Sequence, residues 1–423
     1  MSKSYKPYDL NQLFLLPPSL REWLPGNHLA YFISDVVDTL DLSKIERRLT
    51  NTDRGQPPYH PAMMVKLLFY GYATGVASSR KIERKTYEDI AMRVLGAGYH
   101  PDHDTISSFR KDHIRALKSL FLQILLLARE AKLVKVGHVS LDGTKIKANA
   151  SKYKAMSYER MGLKEKELKQ EIEELFKKAE EADAEEDHDD HRIPEELAFR
   201  EVRLKKIKEA KAALEKRIKE EKGKDPKPKN QINFTDPESR IMKDSSTKSF
   251  VQGYNAQCAV DTDSQIIIAA DVTTETNDVR QIEPMVSQIT KAMGLPPREL
   301  SADAGYFSED NITALTGKGI EAFIPPDKMT HNKKPVSPPR GRIPANISVK
   351  DRMRRLLATV RGRKIYGKRK ETVEPVFGQI KEVRGFRRFL LRGHENVEGE
   401  WQLICLTHNI LKLYRQKIAQ EAM

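Results

Sequence analysis

Val136-Gly-His-Val-Ser-Leu-Asp142, followed by Gly143-Thr-Lys-Ile-Lys-Ala148, is the stretch on which the fold turns. Its first half is an apolar, β-prone run that stops at a single carboxylate, Asp142. The Asp-Gly pair reads as a turn, so Thr144 to Ala148 reads as a second strand. Before Val134 the chain shows helical periodicity. After it, strand and helix signals alternate, so the class of structure changes here.

Reading downstream, Phe250-Val-Gln-Gly-Tyr-Asn-Ala-Gln-Cys-Ala-Val260 and Gln265-Ile-Ile-Ile-Ala-Ala-Asp271 are strands bracketing the turn Asp261-Thr-Asp-Ser264. A helix is predicted over 279–293. Leu300-Ser-Ala-Asp303 follows as a short strand that again ends in a lone carboxylate, then come a helix over 308–317 and a strand at Ala322-Phe-Ile-Pro. A final helical stretch runs from Thr372 to Gln420, broken near Gly393. This order predicts an α/β fold: an antiparallel meander extended by β-α-β units into a mixed sheet. In such a sheet the strands ending in Asp142 and Asp303 can be neighbours, which gathers both carboxylates at one edge. Small residues follow each acid and leave room for a ligand. Carboxylate oxygens of this kind suit hard divalent cations in a phosphodiester-cutting site.

Residues 160–222 interrupt this pattern with charged helical sequence. Leu204, Ile207, Leu214 and Ile218 keep coiled-coil spacing with Lys211 in the intervening core position, and Leu168, Ile172 and Leu175 form a shorter seam. The prediction is an inserted helical hairpin with an acidic tip at 179–190.

Upstream, Met63, Met64, Leu67, Leu68 and Tyr72 recur with helical period between Pro61 and Gly75. A second helix is predicted from Ser79, as N-cap, to before Gly96, and a third from Asp104-Thr105 to Ala131. Compact helices rich in Arg and Lys suit DNA binding, and a plain structural bundle fits the same pattern.

The 423 residues carry 74 Lys and Arg against 60 Asp and Glu, a formal charge of +14 that favours a polyanionic partner. The two cysteines, Cys258 and Cys405, lie far apart, which excludes a zinc knuckle or a disulfide framework and fits a reducing cytoplasm. No signal peptide is read at the N-terminus, and the longest apolar stretch, 120–128, is too short to span a bilayer.

Four motifs carry a resemblance: Asp142-Gly-Thr-Lys-Ile-Lys-Ala-Asn-Ala-Ser151, Gly253-Tyr-Asn-Ala-Gln257, Asp303-Ala-Gly-Tyr306 and Glu374-Pro-Val-Phe-Gly-Gln-Ile-Lys381. In this order they resemble the bacterial insertion-sequence transposases with an RNase H-like DDE domain, of the group with a Tyr-Arg-Glu-Lys type signature. Tyr366 to Arg369 and Glu374 to Lys381 keep that signature's outer intervals. The middle one is a residue longer, so Lys370 fits it in place of Arg369. Glu371 is the rival acid, but it fails the interval to Lys381. Pro375 is tolerable only if Glu374 sits in a first helical turn, which predicts Thr372 as N-cap.

The resemblance implies an RNase H-like mixed-sheet catalytic domain over 133–423, interrupted by the 160–222 hairpin, behind an N-terminal helical, DNA-binding domain over 1–132. It implies strand cleavage at transposon ends and strand transfer into target DNA, with Asp142, Asp303 and Glu374 holding two Mg2+ ions for which Mn2+ can substitute. Double-stranded DNA, a homodimeric synaptic complex and a place at the bacterial nucleoid in the cytoplasm, with no membrane, follow from it. A non-catalytic DNA-binding protein and an RNase H-like nuclease acting on RNA are the alternative readings. Residues 333–370 hold fourteen Lys or Arg and one acid, Asp351, just before Glu374. The expected DNA contacts are Tyr366 stacking on an unpaired base, with Arg369, Lys370, Lys381, Arg384, Arg387 and Arg388 along the strand. His394 and His408 have no ligand-like partners at short spacing and read as structural.

Overall fold

The computed structural model describes residues 19–49, 57–184, 192–244, 249–327, 341, 342, 344 and 346–421. The end of the acidic tip, 185–190, and the start of the basic segment, 333–340, lie outside the described residues.

Helices come first: α1 (Leu29–Asp38), α2 (Ser43–Leu49), α3 (Pro61–Ala73), α4 (Ser79–Glu88), α5 (Ile90–Leu95), α6 (His103–Asp112) and α7 (Ile114–Glu130). The second predicted helix is thus split. Asp89 is extended, and its side chain accepts from Met92 N, capping α5. The N-cap of α4 is Ser78, not Ser79. The third predicted helix also breaks, at His113.

After β1 (His138–Lys147) come β2 (Ala155–Ser157), α8 (Tyr158–Ala184), α9 (Arg192–Lys222), β3 (Gln231–Asn233), β4 (Arg240–Lys243), β5 (Phe250–Asp261) and β6 (Ile267–Thr273). The chain continues through α10 (Ile282–Met293), β7 (Glu299–Ser301), α11 (Glu309–Gly317), β8 (Glu321–Phe323), α12 (Val349–Ala358), α13 (Val360–Gly378) and α14 (His394–Glu421). β1 is one continuous strand through Asp142-Gly143, where a turn was expected: Asp142 pairs with Cys258 and Gly143 with Gln257 without a break in register. Gly143 is there for clearance. A Cβ on it would come within 2.4 Å of Gln257 Nε2.

β5 pairs antiparallel with β1 along one edge, and with β4 and then β6 along the other. β1 pairs in parallel with β7, and β7 with β8. The predicted mixed sheet, a meander extended by parallel strands, is this one, and its strand order is that of an RNase H-like fold. β5 is buried along almost its whole length because helices cover both faces of the sheet. On one face, α14 packs against β6 and brings Cys405 Sγ within 3.7 Å of Cys258 Sγ; both thiols are free. α14 itself lies between the sheet and the N-terminal helices α3 and α7, which explains its buried run from Val397 to Ile410. Tyr72 reaches Glu400, and Arg110 donates to Tyr72 and to the carbonyl of Ala77. One hydrophobic core therefore extends from Ala30 through the sheet to Leu413.

The insertion has a core of its own: Met161 and Leu168 of α8 against Ile207, Ala210, Leu214 and Ile218 of α9, with Ile232. Ala210 rather than Lys211 fills the intervening position. Lys211 turns aside to Glu165 at 3.1 Å, as burial of an unpaired ammonium would demand.

The last helical stretch also starts earlier than expected. α13 begins at Val360 with Thr359 as its cap, so Thr372 and Glu374 lie well inside it. Pro375 lacks the N–H that would bond the carbonyl of Glu371. Gln265 Nε2 donates to that carbonyl at 2.8 Å, replacing the lost bond. A π-helical turn, Gln379–Val383, follows. No helix among the described residues is long and apolar enough to cross a membrane.

Candidate active site and nucleic-acid interface

The site is assembled where β1 and β7 part. Ser140 and Ser301 are the last paired residues of the two strands, and Asp142 and Asp303 each stand two positions beyond them. Below the acids, Ser301 Oγ lies 2.9 Å from both Ser140 Oγ and His138 Nε2, which fixes the two strand ends together. Asp303 caps the short turn Ala304–Tyr306 by accepting from Gly305 N at 2.9 Å. Asp142 accepts from Gly143 N.

Burial pushes the Asp142 carboxyl up to about 6; the Arg369 guanidinium opposes that shift and the neighbouring Asp303 adds to it. Arg369 of α13 reaches over the strand, and its Nη1 lies 2.7 Å from Asp142 Oδ2. Tyr366, one turn earlier on α13, packs its ring against that guanidinium.

Sequence reasoning missed a third carboxylate. Asp278, in the loop before α10, accepts from Asn255 Nδ2 at 2.6 Å and Gln257 Nε2 at 2.8 Å, with Lys145 Nζ at 3.6 Å. Strand alternation places Gly143, Lys145, Asn255 and Gln257 on the face opposite Asp142, so Asp278 approaches the site through the gap that Gly143 leaves. Its Oδ2 faces Gly305, beside Asp303 Oδ1. Tyr306 is buried beneath and donates to Gln257 Oε1. The available signal was the pair of amide side chains, Asn255 and Gln257, at alternate positions of one strand face; the structure buries both, so each needs a partner.

The other expected residues separate. Glu374 is exposed on α13 and makes no hydrogen bond or ion pair among the described residues. Lys381 turns inward to the carbonyl of Lys145 at 3.1 Å. Arg384 is fully buried, its guanidinium on Ile404 O and Thr407 Oγ1, so its donors are used inside the protein. Lys370, Arg387 and Arg388 are exposed, Arg387 beside Glu382. His408 is buried between Gln379 Oε1 and Gln265 O, and His394 bonds Val272 O.

The donors are of the kind a hard cation takes: Asp142 and Asp303 are carboxylates at adjoining strand ends, Asp278 Oδ2 faces Gly305 beside Asp303 Oδ1, and burial penalises the charge on Asp142. Among the described residues no three His, Cys, Asp or Glu side chains close on one point; Arg369 and Lys145 sit against the acids instead.

A mixed sheet of this order, with two aspartates where its central strands diverge, places the chain in the RNase H-like fold class. Residues 214–410 match the transposase DDE domain family, and residues 18–112 match a second transposase domain family, DUF772. Together they cover more than half of the chain, which belongs to the DDE transposases of insertion sequences. The first match begins within α9, so it includes Asp303 and Glu374 but not Asp142. No curated protein and no solved structure matches the chain. DNA is accordingly its partner, and its family uses divalent metal ions.

Proposed function

We propose that this transposase cuts one strand at each transposon end and joins the freed 3′-hydroxyl to target DNA at a site built on Asp142 and Asp303, with Glu374 of α13 as the third acid. The observation that carries the reading is the placement of Asp142 and Asp303 side by side beyond the β1–β7 pairing. Two Mg2+ ions bound there would lower the pKa of the attacking water or hydroxyl and steady the leaving oxygen.

The chain's own groups hold and orient the DNA. Arg369 supplies positive charge beside Asp142 and keeps that carboxylate ionised. Tyr366, half-buried, offers a ring to an unpaired base. Exposed Lys370, Arg387 and Arg388 lie on the phosphate track. Arg80, Lys81 and Arg84, all exposed on α4, make that helix the DNA-facing element of the N-terminal region, 1–132. Residues 133–423 form the catalytic unit around the inserted hairpin, and two copies bring two ends together as a homodimer.

The test is cleavage of a duplex that carries the element's end sequence, in magnesium. Asp142→Ala and Asp303→Ala proteins should bind this duplex as the parent does and leave it uncut, because each change removes an oxygen ligand and no phosphate contact. Cleavage at the parental rate by Asp303→Ala refutes the assignment.

A further inference from the structure

Beyond its catalytic acids β1 continues to Lys147, and there it meets a second part of the chain. Lys147 N donates to Arg387 O, and Phe389 N donates to Lys147 O, so the segment around Arg388 is sewn to the strand end. Between them opens a cleft of about 510 Å³ lined by Lys147, Lys152, Lys154, Arg388 and Arg392. No carboxylate lines it. None of these five cations is in an ion pair among the described residues; Arg392 Nε only donates to the carbonyl of Asn149.

Two aromatic rings stand at the same cleft almost bare: Tyr153 is 86% exposed and Phe250 63%. Lys152 Nζ lies 5.4 Å from the Tyr153 ring centroid, so the ring already holds a cation against its face. Uncompensated positive charge attracts phosphates. Exposed ring faces add nothing to phosphate binding, but they stack on bases. A duplex hides the faces of its bases, so rings and charges together select a strand that is unpaired locally.

We propose that this cleft binds an unpaired stretch of a DNA strand, with phosphates on its lysines and arginines and a base on Tyr153. The proposal rests on the reading that DNA passes Asp142. Five residues of strand separate Asp142 from Lys147, roughly 17 Å, or about five nucleotides of a stacked strand. The strand held here is therefore melted several nucleotides from the bond that is cut.

The test measures binding without cleavage, in EDTA. The probes are a fluorescein-labelled single strand of about 12 nucleotides and the duplex of the same sequence, compared by anisotropy. Tyr153→Ala should weaken single-strand binding about tenfold and leave duplex binding within about twofold, whereas Tyr153→Phe should keep the parental values. Lys152→Gln with Lys154→Gln should lower the salt dependence of single-strand binding by about 1.4 in log–log slope, as two lost phosphate contacts require. Tyr153 is at the surface, so its loss does not threaten folding. Unchanged single-strand binding by Tyr153→Ala, or an equal loss with the duplex, overturns the proposal. Because no cut is scored, that result leaves the assignment of the acidic site standing.

Discussion

Arg369 Nη1 and Asp142 Oδ2 are 2.7 Å apart, a contact between α13 and β1 across 227 residues of sequence. Both side chains are largely shielded, at 11% and 17% exposure, so each neutralises a charge that would otherwise be costly there. Arg369→Gln should destabilise the metal-free protein by about 3 kcal/mol. Magnesium should restore more stability to this variant than it adds to the parent, since a cation at Asp142 takes over the lost role. Chemical denaturation with and without magnesium reads both effects; equal stabilisation of the two proteins would show that Arg369 and the metal do not share Asp142.

Glu374 and Glu371 can be separated in the same cleavage assay. Glu374→Gln should abolish strand cleavage, and Glu371→Gln should keep most of it. The reverse pattern would move the third acid by one helical turn.

Asp278→Asn should reduce cleavage by about a hundredfold, as loss of a positioned charged group in such a site does, with duplex binding preserved. Its stability should fall little, because Asn255 and Gln257 can still find a carbonyl acceptor in the new side chain. Retained cleavage would make Asp278 only a partner for those amides.

His408 and His138 set an acid limit. Burial lowers His408 to about 3 and His138 to about 4, against an ordinary value of 6.5. Below 6.5 the unfolded chain takes up these protons and the folded one does not, so stability is full above pH 6.5 and declines as pH falls toward 4. Each histidine contributes a slope of about 1.4 kcal/mol per pH unit. His408→Gln should lower the slope measured by urea denaturation between these pH values by about 1.4 kcal/mol per pH unit, whatever the raised Asp142 carboxyl contributes in the opposite sense; an unaltered slope would place the acid sensitivity elsewhere.

Replacing α8 and α9 by a tight linker should leave a cooperatively folding protein, because Leu168, Ile207, Leu214 and Ile218 pack among themselves and with Ile232. Circular dichroism and thermal melting decide this, and an unfolded product would show that the sheet depends on the hairpin.

The features legible in sequence were those carried by local periodicity. β5, β6, β7 and β8 appear close to their predicted places, and Asp142 and Asp303 stand together as the strand order implied. Sequence failed where tertiary partners overrule local preference. Asp142-Gly143 has the composition of a turn, yet β5 pairs through it. Pro375 marked a helix start, yet Gln265, far away in sequence, supplies the hydrogen bond that lets α13 run past it. Arg384 sits in a basic cluster like its neighbours, and only the packing of α14 shows that it points inward. Asp278 stood before a helix like an ordinary cap, and nothing local marks that Asn255 and Gln257 would draw it to the acids.

The burial of α14 between the sheet and helices α3 and α7 has an evolutionary corollary. A recombination event that exchanged the first 130 residues for those of a distant transposase would have to bring a matching surface for Trp401, Glu400 and their neighbours, or the hybrid would expose them. On the proposed reading of α4 as the DNA-facing helix, new end-sequence preferences would arise by substitutions at exposed positions such as Arg80 and Arg84, and not by trading whole modules.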